Sequence, residues 1–406
     1  MRTSATPRTL LMAALALALA VVSACGPSDP GDVAQEQAVG ASTPVVATVT
    51  PTFMPLPTIA PAEATPEPTR QPTATPVPTP AAPLRLVASY PIDNDGAVLP
   101  ERPLVLVFDR APEPASLEAG LIISPTVTGR FEWASGERVA FYPEGGWASS
   151  DVWEATLGSE VRAADGGALE QDVALGFSLS GRGSPIPVLM YHHVEELGPE
   201  ATEGKKDWTV SPEAFRQQMA YLEQGRWTSI SGSALADYLL EGEPLPPRAV
   251  VISVDDGNRS FYNNGWPIMQ ETSLRPLMFL VTQFAEYSGY VNWDEARGLV
   301  AGGAWIGSHG YSHRALGEVP VGELAWELGD SRAALETQLG ITVDTFCFPY
   351  GGRPQAALAV MADNGYRTGY SLNPTYWQRP EAPYFIGRLR VDYRTTLEDF
   401  MDLLPG

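Results

Sequence analysis

From Ser184 to the end of the chain, short apolar runs alternate with amphipathic stretches, and this rhythm restricts the fold more than any other feature. Residues 187–191, 227–231, 249–254, 276–282, 305–308, 345–348 and 366–370 read as strands. They are nearly continuous in apolar character, the pattern of strands covered on both faces. Residues 212–224, 293–301, 321–339 and 354–364 have helical spacing, and Ser211 followed by Pro212 reads as an N-cap with proline in the first turn. Strands alternating with helices imply an α/β class with a parallel sheet, either open or closed as a barrel.

The 406 residues exceed one ordinary core, so a second folded unit is expected. Between Leu84 and Gly181 the pattern changes to short alternating runs at 84–88, 104–108, 130–133, 138–142, 152–157 and 173–178. Turn residues such as Asn94-Asp95-Gly96 and Asp165-Gly166-Gly167 punctuate them, which predicts a small all-β sandwich. The segments Ser89 to Ala97, Phe108-Asp109 and Ala163 to Leu169 resemble bacterial Ig-like domains of surface proteins. No chemical cluster occurs there, and a spacer role or weak glycan contact is expected.

Upstream, residues 41–83 are dominated by Pro and Thr, as in Gln71 to Pro80. Such a segment buries little apolar area and favours extended conformations, so residues 25–83 read as a stalk, of which the ~40 Pro/Thr-rich residues alone reach ~100 Å or somewhat less. Met1 to Ala24 has Arg2 and Arg8, the apolar run Leu10 to Val22 and small residues before Cys25, the layout of a signal peptide. The stretch Val22-Ser23-Ala24-Cys25-Gly26 resembles a bacterial lipobox, which implies acylation of Cys25 and an extracytoplasmic protein held to the membrane by its lipid. The formal net charge of -22 disfavours nucleic acid as a partner. Cys347 is the only other cysteine, so no structural disulfide is expected, and a monomer is assumed.

Three polar clusters fall at the C-terminal ends of the expected strands, where a parallel β/α barrel assembles its active site. Val251-Ile-Ser-Val-Asp255-Asp256-Gly257 ends a buried strand in two carboxylates and a tight turn. Ile306-Gly-Ser-His309-Gly-Tyr-Ser-His313 holds two of the four histidines, spaced so that both imidazoles can face one ion; with a carboxylate they suit zinc or a similar divalent metal. Phe346-Cys-Phe-Pro349-Tyr350-Gly351-Gly352 forms a rigid turn able to aim a backbone N–H at a substrate oxygen. Each motif alone is commonplace.

Together, in this order, they resemble polysaccharide deacetylases of the NodB-homology type, carbohydrate esterase family 4, over residues 186–401. Pro187 to Val194, Val210 to Phe215, Asn292-Trp293-Asp294-Glu295 and Gly365-Tyr366-Arg367 are similar to the exopolysaccharide-deacetylase subgroup. The resemblance implies a deformed (β/α) barrel over residues 184–406, preceded by the Ig-like sandwich at 84–181. It makes Asp255 the general base, Asp256, His309 and His313 the metal ligands, and Tyr350 the donor of an oxyanion-stabilising N–H. His192, Trp293 and Pro349 fall at the substrate. The implied reaction is hydrolysis of N-acetyl groups on a cell-envelope or extracellular polysaccharide, poly-N-acetylglucosamine foremost, with a glycan-binding pseudoenzyme or adhesin, or an O-acetyl polysaccharide esterase, as the alternatives. The chain departs from the family at two places. Cys347 stands where many members have an arginine, and no histidine follows His313 to protonate the leaving amine. That leaves the general acid unassigned, with His192 and His193 as candidates.

Overall fold

A computed structural model describes residues 81–148 and 152–405. The signal peptide, Cys25 and all but the last residues of the stalk lie outside the described residues. The described residues belong to one unit of the structure.

Two antiparallel sheets come first. Strands β1 (Leu86–Tyr90), β2 (Leu104–Phe108), β4 (Gly129–Trp133) and β5 (Arg138–Pro143) form one, in the order β1-β2-β5-β4. Strands β3 (Leu121–Ser124), β6 (Val152–Leu157) and β7 (Val173–Ser178) form the other, in the order β3-β6-β7. Trp147 packs against Phe141 of the first sheet and against Trp153 and Phe177 of the second, so both sheets contribute to one core. β6 alternates buried and exposed residues, as expected for a strand with one face on a core.

The remainder is a curled parallel sheet, a half-barrel. Its strands are β8 (Val188–Tyr191), β9 (Ala249–Val254), β10 (Leu277–Leu280), β11 (Trp305–Ser308), β12 (Thr345–Cys347), β13 (Thr368–Tyr370) and β14 (Leu389–Arg390). They run in the order β13-β12-β11-β10-β9-β8-β14, with Thr228–Ser229 pairing beside the start of β9. Every residue of β9 and β10 is buried, which explains their continuous apolar sequence. The helix Pro212–Gln224 begins where its cap requires, with the Ser211 side chain accepting from the Ala214 amide at 3.1 Å. The helix Trp293–Ala301 opens on a full capping box between Asn292 and Glu295. Residues 321–339 depart from one continuous helix. They divide into a 3₁₀ turn at Val321–Glu323, a π-helical turn at Trp326–Asp330 and the α-helix Ser331–Leu339.

The two parts are joined by specific polar contacts. Ser89 and Leu245 exchange backbone hydrogen bonds at 2.9 and 3.0 Å. The Tyr238 hydroxyl accepts from the Ile92 amide at 3.1 Å and donates to buried Asp95, which also accepts from Ser184 Oγ at 3.0 Å. Tyr238 lies on the helix Gly232–Glu241, so the antiparallel sheets are anchored to the half-barrel through that helix.

Candidate metal centre and active site

Because all seven strands of the half-barrel are parallel, their C-terminal ends share one edge, and the three polar clusters meet there. The backbone ladder continues into the site. The Asp255 amide donates to the Tyr191 carbonyl at 2.9 Å, the His309 amide to Leu280 at 2.8 Å, and the Phe348 amide to Tyr370 at 3.1 Å. These residues are therefore placed by strand register and not by loose loops.

Asp256 adopts φ 69°, which turns its carboxylate toward the histidines. Its Oδ1 lies 3.4 Å from His309 Nε2 and 3.2 Å from His313 Nε2. It is nevertheless a buried oxygen with no hydrogen-bond partner. Three ligand atoms that converge without bonding one another fit a cation between them. His309 Nδ1 sits 2.8 Å from the Cys347 carbonyl, an arrangement that places the proton on Nδ1 and leaves Nε2 free to ligate. Burial would raise the Asp256 carboxyl, but His309 and His313 outweigh it and hold it well below the usual carboxylate range. The donor set, one carboxylate and two imidazoles, suits zinc or another divalent ion.

Asp255, the adjacent residue, is 2% exposed and is engaged by Arg388. Arg388 Nη1 donates to its Oδ1 at 2.7 Å and its Oδ2 at 2.9 Å. Burial pushes the Asp255 carboxyl up, but Arg388, then His192 and His309, reverse the balance and keep it below the ordinary value. Cys347 Sγ donates to Asp255 Oδ2 at 3.5 Å; burial pushes this thiol up, so it stays protonated. Asp255, His309 and Cys347 also lie within ligand distance of one another. The guanidinium on Asp255 and the protonated thiol make that second grouping a poor cation site.

Arg388 is the residue that sequence reasoning missed. It supplies a cation to Asp255 from the residue just before β14, whereas position 347, where the family resemblance expects an arginine, holds Cys347. It is 1% exposed, and its Nε donates to the Ser371 carbonyl at 2.9 Å. An arginine in Gly387-Arg-Leu-Arg has no local signal that separates it from its neighbour Arg390.

A cleft of roughly 440 Å³ opens over these groups, lined among others by His192, Trp208, Tyr350 and Leu372. His192 Nε2 is 3.7 Å from Asp255 Oδ2, and its ring lies tilted against Trp208, with centroids 4.6 Å apart. Burial lowers the His192 pKa despite the two aspartates nearby. His193 also lines the cleft, but its Nδ1 is 3.0 Å from Ser260 Oγ, and burial followed by Lys205 pushes it down to about 4. Tyr350 takes φ 57° in the turn after β12, its ring 4.9 Å from that of His313 and its side chain 68% exposed. Gly351 follows at φ 73°, where a Cβ would lie 2.7 Å from Leu372. Pro349 is buried beneath this turn. Trp293 is not at the cleft: it lies at the start of its helix, beside a small pocket that touches Asp256, Gly257 and Tyr290.

Residues 242–369 match the family model for polysaccharide deacetylases. The chain is 20% identical over 206 residues to the putative polysaccharide deacetylase YxkH of Bacillus subtilis, covering 51% of this chain and 71% of that one. It is 34% identical over 82 residues to the poly-beta-1,6-N-acetyl-D-glucosamine N-deacetylase of Escherichia coli, covering 20% of this chain and only 12% of that protein. The Streptococcus pyogenes deacetylase PplD, solved in complex with acetate, superposes with a TM-score of 0.51 at 21% identity, over 54% of this chain and 98% of that one. That likeness establishes the fold. Fold, ligand set and family match together define a metal-dependent hydrolase. Within it, residues 242–369 form a polysaccharide deacetylase domain of the NodB-homology type.

Proposed function

We propose that the protein removes N-acetyl groups from a cell-envelope or extracellular polysaccharide, with poly-N-acetylglucosamine as the leading substrate. The observation that carries this reading is the approach of Asp256 Oδ1 to both imidazole Nε2 atoms, with a second carboxylate on the adjacent residue. Asp256, His309 and His313 would hold a divalent ion, zinc by the donor set. When bound, such an ion supplies Lewis acidity toward an amide carbonyl and makes water more acidic. Asp255, kept ionised by Arg388, is the base that takes the proton from the attacking water. The Tyr350 amide is the donor for the developing oxyanion.

His192 is the general acid in this reading. It reaches Asp255 Oδ2 at 3.7 Å and is neutral while waiting, so it can receive the proton gathered there and pass it to the leaving amine. His193, engaged with Ser260, is the weaker candidate. The aromatic and apolar rim of Trp208, Tyr350 and Leu372 suits the faces of sugar rings and the acetyl methyl group. The antiparallel region acts as an Ig-like spacer, and the signal sequence with Cys25 places the enzyme outside the cytoplasm on a lipid anchor.

Acetate release from acetylated glucosamine oligomers tests the reading. The intact protein releases acetate, loses activity in chelator and regains it with a divalent ion. No release from any acetylated glycan by protein that has bound metal would overturn it.

A further inference from the structure

We propose that Glu327 is a positioning residue for the metal centre, fixing the loop between the two histidines and supplying the charge that a dication balances. The proposal rests on the ligand set Asp256, His309 and His313. Glu327 lies in the π-helical turn Trp326–Asp330, and it is 0% exposed. Burying a carboxylate so completely is costly unless hydrogen bonds or charges compensate it. Its compensation comes from one place. Oε2 accepts from the amides of Tyr311 and Ser312, both at 3.0 Å, and Oε1 accepts from the Ser312 hydroxyl. The Glu327 backbone carbonyl also accepts from the Tyr311 amide at 3.1 Å. None of the ion pairs among the described residues includes it.

Tyr311 and Ser312 lie between His309 and His313, so all of these bonds act on the ligand loop. His313 stands at φ 63°, a conformation a non-glycine residue keeps only where its surroundings over-determine it. Gly310 takes φ 84°, and a Cβ there would approach Glu327 Oε2 to 3.3 Å. Behind the loop, Ser331 Oγ bonds Ser308 Oγ at 2.8 Å and Thr282 Oγ1 at 2.8 Å, and Ser308 Oγ accepts from the Gly310 amide at 3.1 Å. The same helical segment thus holds the loop at both of its halves. Without Glu327, His309 would remain tied to the sheet through Leu280 and Cys347, and Tyr311 to the Gln283 amide, whereas Ser312, the residue before His313, would lose its bonds to Glu327.

The charges point the same way. Arg388 neutralises Asp255. Among the described residues neither Asp256 nor Glu327 pairs with a lysine or arginine; Asp256 faces only the two imidazoles, and a divalent ion matches the two carboxylates.

The test is the affinity of the metal-stripped full chain for zinc ions, measured by competition with a chromogenic chelator, alongside the melting temperature of the stripped protein. Glu327→Gln keeps the shape and one acceptor but removes the charge; its zinc affinity is expected to fall on the order of tenfold, the range seen when supports of metal ligands are removed. Ser312→Ala removes a single donor and is expected to weaken binding by about threefold. Both are expected to melt within a few degrees of the stripped parent, and saturating zinc is expected to restore most of the acetate release. Zinc affinities unchanged in both variants would overturn the proposal. Should Glu327→Gln fail to fold, Ser312→Ala decides the matter alone. A parent chain that binds no divalent ion would instead sink the ligand set itself, which is a different result.

Discussion

Asp95 and Asp255 are both 2% exposed, yet the structure uses them in opposite ways. Asp95, at the junction between the antiparallel sheets and the half-barrel, is held by neutral donors: the Tyr238 hydroxyl, the Ser184 hydroxyl and the Ala97 amide. Burial prevails over those bonds and pushes its carboxyl up. Asp255, at the catalytic edge, faces the guanidinium of Arg388, and its carboxyl is held down although burial opposes this. Equal burial therefore does not fix the charge of a carboxylate; the partner does. One aspartate is built as an adhesive between two parts of the fold, the other as a base.

The sharpest way to break this comparison is to neutralise each aspartate in turn. Asp255→Asn is expected to lower kcat for acetate release by about 10²- to 10⁴-fold, the usual worth of a general base, with zinc still bound. Asp95→Asn is expected to leave kcat within about twofold, since it touches no group at the cleft. Comparable losses in both would mean that Asp255 is not the base.

Removing the partner comes next. Arg388→Met leaves Asp255 buried and unpaired, and the expected loss of stability is about 3–5 kcal/mol by denaturant unfolding. If enough folded protein survives, the acidic limb of the kcat/KM profile should move to higher pH, because Asp255 then holds its proton more tightly. An acidic limb that stays in place would show that Arg388 does not set the ionisation of Asp255.

At the junction the effects are smaller. Tyr238→Phe removes the hydroxyl that bonds Asp95 and Ile92, with an expected cost of about 1–3 kcal/mol and no change in zinc affinity. The smallest effect is a pH trend. A carboxyl raised in the folded state binds its proton more tightly there than in the unfolded chain. Its contribution to stability is complete below the ordinary aspartate value of 3.8 and is lost as pH rises through the raised value. Asp95→Asn has no such loss, so its melting temperature should gain on that of the parent as pH rises from 4 toward 8. A constant difference across that range would show that Asp95 is not protonated at the junction.

The strand ends carrying the site were legible in the chain because each strand is buried on both faces, so its apolar run and the polar residue that stops it stand out. Asp255 and His309 follow such runs directly, and the run ending at Phe348 is stopped by the Pro349 turn. The helices at 212–224 and 293–301 were legible through their caps. The helix Gly232–Glu241, the strand β3 and the two-residue β14 were not, since short elements leave too little periodicity to read. Residues 321–339 have helical spacing throughout, yet Gly322 and Gly329 fall within the segment that breaks into 3₁₀ and π turns. That break places Glu327 under the histidine loop.

By itself the amino-acid order determined which chemical groups stand at strand ends and in what succession, because hydrophobic patterning and turn residues act within a few positions. Tertiary structure alone decided the pairing of those groups. Arg388 reaches Asp255 across 133 positions, Tyr238 reaches Asp95 across 143, and the Cys347 carbonyl orients His309 across 38. Such pairings depend on how the sheet curls and what space a neighbour leaves. No local pattern encodes that, and it is what makes one buried aspartate a base and the other an adhesive.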